Sequence, residues 1–88
     1  MPELRLTRRA REDLKTLPPA VQEAVLETLT LIKVDPERAG KRLVGQLTGV
    51  WSARVGNYRV PYTLEKGDVV VRAIRHRGVA YRPRPRGR

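Results

Sequence analysis

The stretch WSARVGNYRVPY, Trp51 to Tyr62, decides how the rest of the chain must be arranged. It reads as two strands joined by the two-residue turn Gly56-Asn57, with glycine at the first turn position as a type II′ hairpin requires. Pairing Val55 with Tyr58 across that turn sets Arg54 opposite Arg59, Ala53 opposite Val60 and Trp51 opposite Tyr62. The two-residue period then gathers Trp51, Ala53, Val55, Tyr58, Val60 and Tyr62 on one face, where Trp51, Tyr58 and Tyr62 read as core aromatics. Ser52, Arg54, Arg59 and Pro61 take the other face. Two arginines directly opposite each other repel, a pairing tolerated most easily when an anion sits between them.

Downstream, Glu65-Lys66-Gly67-Asp68 is a second tight turn, and Val69 to Arg75 reads as a third strand. Pairing Leu64 with Val69 sets Tyr62 against Val71 and Val60 against Ala73. It also adds Thr63, Arg72 and His76 to the basic face. Pro61 conflicts with this register, because its missing N–H would have faced the third strand. Either the sheet bulges there or the register slips by one near the turn.

Upstream, Leu4 and Leu6 alternate in a short terminal strand, and Thr7 is a helix N-cap. Ala10, Leu14 and Leu17 then recur at helical spacing. Pro18-Pro19 ends this helix and lets Pro19 open the next. The second helix carries Val21, Ala24, Val25, Leu29 and Ile32 on one stripe and stops by Asp35-Pro36. Residues 35–49 form a Gly- and charge-rich connection tacked to the core by Leu43 and Leu47, with room for one helical turn. The expected fold class is α+β: an N-terminal strand, an αα-hairpin, then a three-stranded antiparallel meander, with the helices on one face of a small, mostly antiparallel sheet. The expected domain is residues 1–82. Residues 83–88, which end the run YRPRPRGR, form a basic tail that its prolines keep extended.

Composition narrows the function. Lys+Arg number 19 against 9 Asp+Glu, a formal net charge of +10 on 88 residues. Such a balance implies a polyanionic partner, nucleic acid first, and the arginine excess suits bidentate phosphate contacts. There is no cysteine and one histidine, so neither a disulfide framework nor a metal site is expected, and no cofactor. No apolar run approaches the ~20 residues of a membrane span, and the N-terminus lacks the apolar stretch of a secretory signal; a cytoplasmic protein without membrane partners is expected. Nucleophile elbows and phosphate-binding glycine loops are absent too. What remains is arginines, a histidine and tyrosines, an inventory suited to stabilising charge that builds on phosphate oxygens. RNA would supply its own nucleophile, the 2′-hydroxyl.

The pattern L-x-G-x-L-x-G-V-W-S-A-R-V-G-N-Y-R-V-x-Y, followed by a Val-rich strand and I-R-H-R-x-x-x-Y-R, resembles the RelE/ParE toxin superfamily, on the RelE side. The residues are Leu43, Gly45, Leu47, Gly49 to Val60, Tyr62, Ile74 to Arg77, Tyr81 and Arg82. The resemblance implies a type II toxin: a metal-independent, ribosome-dependent endoribonuclease that cuts mRNA in the A site and leaves a 2′,3′-cyclic phosphate. It implies a role for Arg54 at the 2′-hydroxyl or phosphate and for Arg59 in transition-state stabilisation. Arg77 would contact the phosphate, with Arg75 the alternative, and Tyr81 would stack on a base or assist proton transfer. Arg72, Arg75, His76, Arg82, Arg84 and Arg86 are the expected RNA and ribosome contacts. Implied partners are the ribosome with its mRNA, an acidic RelB-like antitoxin, and operator DNA through the antitoxin complex. Some relatives carry a lysine where this chain has Ser52, which leaves the general base open. Rival readings are a ParE-like gyrase inhibitor and an RNA-binding module of weak activity.

Overall fold

The computed structural model describes residues 3–43 and 49–76. Strand β1 (Leu4–Leu6) leads into helix α1 (Arg8–Lys15), and helix α2 (Pro19–Val34) is followed by a single helical turn, α3 (Pro36–Ala39). Then come β2 (Lys41–Arg42), β3 (Val50–Val55), β4 (Tyr58–Glu65), β5 (Asp68–Val71) and β6 (Arg75–His76). The sheet runs β1-β5-β4-β3-β2, with β6 also pairing β4. The α+β architecture, the helical hairpin and the hairpin register all match expectation. Val55 faces Tyr58, Arg54 faces Arg59 and Trp51 faces Tyr62.

Local chemistry accounts for the helices. The Thr7 hydroxyl accepts from the Ala10 N–H and caps α1, and Pro19 opens α2 at a position where no N–H is needed. Val25, Leu29 and Ile32 of α2 and Ala10 of α1 are buried against Ala53, Val60, Tyr62, Val69 and Val71 of the sheet. Leu14, Leu17 and Val21 pack at the margin of that core. The apolar sheet face is therefore the covered one. Among the described residues no helix covers the opposite face, and near β1 Val70 is buried between its strand partners Arg5 and Thr63.

Both hairpin turns obey backbone sterics, one at a cost. Gly56 has φ +58 at the first turn position while Asn57 stays at negative φ, as a type II′ turn demands. The second turn places Lys66 at φ +54 and Gly67 at φ +86, a type I′ pattern that disfavours lysine. Lys66→Asn, which accepts this conformation more readily, should raise stability by about 0.5–1 kcal/mol. A urea melt checks it; an unchanged midpoint would mean the turn carries no strain.

Three features complete the expected sheet or refine its register. First, β1 pairs in parallel with β5, Leu4 opposite Val69 and Leu6 opposite Val71. Second, the 35–49 connection contributes an edge strand, with Lys41 opposite Ser52 and Arg42 opposite Trp51. Third, the last strand is broken. Tyr62 faces Val71 as expected, yet Tyr58 faces His76, so the four residue steps on β4 are spanned by five on the other side. The expected pairing of Val60 with Ala73 is therefore replaced by a bulge at Arg72–Ile74. Its cause is Pro61: the Arg72 N–H donates to the Pro61 carbonyl at 2.8 Å, but Pro61 has no N–H to return.

The edge connection is pinned from below by Tyr62, whose hydroxyl donates to the Pro36 carbonyl. A Cβ on Gly40 would lie 2.4 Å from that hydroxyl and 2.8 Å from the Ser52 carbonyl oxygen, so only glycine permits this approach. Burial pushes the Tyr62 phenol up to about 12. An unfolded tyrosine titrates near ~10, so the stability from keeping this phenol neutral is intact below that pH and lost as pH rises toward 12. Tyr62→Phe should lose this component, and urea melts from pH 9 to 12 should show a shallower decline for the variant than for wild type. Parallel profiles would mean that the phenolate is accommodated in the folded state.

Candidate phosphate-binding face

The bulge decides which cations share the open face. Without it, strict alternation would set Ile74 opposite Arg59, put His76 on the same face two residues further on, and turn Arg75 toward the apolar side. With it, Arg75 is the direct strand partner of Arg59, and Arg59 is the partner of Arg54. Three guanidinium groups thus lie in one row across β3, β4 and β6. Arg54 and Arg75 are exposed and Arg59 is half-buried. The expectation that His76 joins this face is corrected: it lies on the Tyr58 side, with ring centroids 5.0 Å apart in an edge-to-face contact. Arg72 projects from the bulge and forms an ion pair of 3.4 Å with Glu65, away from the row. Arg77, Tyr81, Arg82, Arg84 and Arg86 lie outside the described residues, as do Gly45 and Leu47.

The bulge is braced from the helical layer. The Thr7 hydroxyl donates to the Arg72 carbonyl at 3.0 Å, and the Ile74 N–H donates to Asp13 Oδ2 at 3.0 Å. The other oxygen of Asp13 accepts from Arg9 Nε at 3.3 Å. Thr7 and Asp13 therefore satisfy backbone groups that the broken ladder leaves over. Sequence reading assigned Thr7 only as a cap and gave Asp13 no role.

Beside the arginine row is a cleft of about 450 Å³, lined by Arg38, Lys41, Ser52, Arg54 and Arg59 together with Ala39, Gly40, Leu43 and Ala53. No carboxylate is among its described lining residues. Arg38 and Lys41 were missed in the sequence because a two-residue edge strand has no periodicity to announce it. Among the described residues, no group of three or more His, Cys, Asp or Glu side chains could hold a metal, and no helix is long and apolar enough to cross a membrane. The face as a whole offers fixed cations in a row across neighbouring strands, an arrangement that matches a phosphodiester chain better than a compact ligand.

Over residues 4–81 the chain matches the family described as ParE toxin of type II toxin–antitoxin systems, parDE. It belongs to that family. This ParE-family toxin is 40% identical over 82 residues to Toxin RelG of Mycobacterium tuberculosis, covering 90% of this chain and 94% of the relative. It is 36% identical over 83 residues to Toxin RelE of the same organism, covering 91% and 86%. The fold of the toxin resembles that in the RelBE2 toxin–antitoxin complex from M. tuberculosis, with a TM-score of 0.78, 38% identity and coverage of 88% of this chain and all (100%) of that one. The isolated Escherichia coli RelE toxin shares the fold at a TM-score of 0.74 and 21% identity, over 86% of this chain and 84% of that one. The expected RelE-like architecture is thus that of a type II toxin of the RelE/ParE family.

Proposed function

We propose that this toxin is a ribosome-dependent endoribonuclease that cleaves mRNA in the A site without a metal. The observation that carries the reading is the row Arg54–Arg59–Arg75, held in register by two strand pairings. In the reaction, the RNA 2′-hydroxyl gives up its proton and attacks the adjacent phosphorus. The bond to the 5′-oxygen breaks, that oxygen takes a proton, and a 2′,3′-cyclic phosphate remains. Further negative charge accumulates on the non-bridging oxygens as the new bond forms, so donors that engage it more strongly there lower the barrier as well as tightening binding. Arg59, central and half-buried, is assigned that role. Arg54 sits at the 2′-hydroxyl or phosphate, and Arg75, the alternative to Arg77 for the phosphate contact, is assigned a place beside them because it pairs with Arg59. Tyr81 retains its proposed part in stacking or proton transfer.

The partner that restrains such a toxin is an acidic, RelB-like antitoxin; the net charge of +10 favours it. Relatives of this fold occur in toxin–antitoxin complexes, RelBE2 among them. The second reading, gyrase inhibition, is kept by the family's ParE description. Toeprinting of a translating mRNA with purified toxin, beside a gyrase supercoiling assay, separates the two. Cleavage within the A-site codon is expected; supercoiling inhibition without cleavage would overturn the nuclease reading.

A further inference from the structure

The cleft beside the arginine row is built by a segment that nothing in the hairpin requires. Gly40 packs against Tyr62 and the Ser52 carbonyl, and the Tyr62 hydroxyl holds the Pro36 carbonyl. The Leu43 N–H donates to the Val50 carbonyl at 2.8 Å. The connection is thereby tied to the sheet on both sides of Lys41. The register sets Lys41 opposite Ser52, so it stands on the same face as Arg54, one strand across and two residues along. Strand geometry makes that a Cα separation of roughly 8 Å. That separation lets the two long side chains address neighbouring phosphates of one extended strand. Arg38, at the end of α3, lines the same cleft.

We propose that Lys41 and Arg38 form a second phosphate subsite, which takes the RNA phosphodiester adjacent to the one over Arg54 and Arg59. The assignment rests on the nuclease reading of this face. Edge strands often carry lysine to block pairing with other chains, but that need does not call for Arg38 in the same concavity. Lys41 and Arg38 are brought beside Arg54 around a cleft whose described lining holds no carboxylate, and like charges so placed favour a polyanion there. The subsite lies off the reacting phosphorus, so its contribution is made equally in ground and transition states.

Its signature is in binding more than in rate. Lys41→Ala and Arg38→Ala should each raise the toxin concentration that half-saturates single-turnover cleavage on programmed ribosomes, by roughly tenfold for one lost charge-assisted hydrogen bond. The saturated rate should fall much less. On a single-stranded RNA oligonucleotide, the double variant should lower the log–log salt slope of binding by about 0.7, one phosphate contact. Lys33→Ala removes one charge from the exposed end of α2 and should change neither quantity. Lys41→Gln keeps a long polar side chain without the charge, guarding against a loosened edge strand. A double variant with wild-type half-saturation and salt slope would overturn the subsite. So would a loss confined to the saturated rate, or one confined to binding of an acidic antitoxin peptide. If wild-type toxin cleaves nothing, the nuclease reading fails, while the oligonucleotide salt slope still decides whether these residues hold phosphate.

Discussion

Arg59→Ala is expected to lower the saturated single-turnover rate of mRNA cleavage on programmed ribosomes by about 10²–10³-fold, the usual effect of removing one preorganised donor to a developing oxyanion. Arg59 is the central member of the row, with Arg54 opposite on one side and Arg75 on the other. It is also the half-buried one of the three, so solvent screens it least. A guanidinium carried on a paired strand is positioned before substrate arrives, and reorganisation does not consume its benefit. The variant should stay folded. Losing repulsion from two cross-strand guanidinium groups favours it, and losing the packing of the aliphatic stem opposes it; the melting temperature should lie within a few degrees of wild type. Arg59→Lys should recover part of the rate, because it restores the charge but not the planar fork. Wild-type cleavage by folded Arg59→Ala toxin would remove Arg59 from the chemistry, and an unfolded variant would make the residue structural.

The second large effect is expected at a residue of the helical layer. Asp13→Ala deprives the Ile74 N–H of its acceptor, and a part-buried donor left without a partner costs about 1–3 kcal/mol. In a domain of this size that corresponds to a fall in melting temperature of roughly 5–15 °C. Cleavage should fall about tenfold or more even well below the melt, since small misplacements of a substrate-contacting group are costly. The Asp13–Ile74 contact holds the bulge, and the bulge sets the face on which Arg75 emerges. Asp13→Asn keeps an acceptor and should lose less of both. Arg9→Ala removes only the exposed half of the Asp13 ion pair, whose side-chain exposures are 63% and 20%, and should change little. A double-mutant cycle makes the test specific: if Asp13 acts through Arg75, then Asp13→Ala adds no further loss of rate to Arg75→Ala. Fully additive losses would show that Asp13 does not act through Arg75.

Much of this protein was legible in its sequence because the signals were local. Gly56 permits the positive φ that a type II′ turn needs, and that turn dictates every pairing of β3 with β4. Thr7 caps α1 and the Pro18-Pro19 step divides the helices, each through a backbone preference written in one or two residues. The apolar stripe of α2 and the alternation in the hairpin assign the core without any knowledge of topology. From the turn alone came Arg54 opposite Arg59.

The tertiary structure decided the remaining members of the face, and the reason is sequence distance. Pro61 announced a conflict, but a bulge and a slipped register satisfy a missing N–H equally well. What selects the bulge is support from Thr7 and Asp13, residues 65 and 61 positions away from the groups they bind. That selection moves Arg75 to the row and His76 to Tyr58. Lys41 likewise gains its place from a strand only two residues long, too short to carry a period, held by the fit of Gly40 against Tyr62. A two-residue alternation survives only until one residue is inserted, after which every side chain beyond changes face. The sequence contains the inserted residue, but only the packed helices show where it goes.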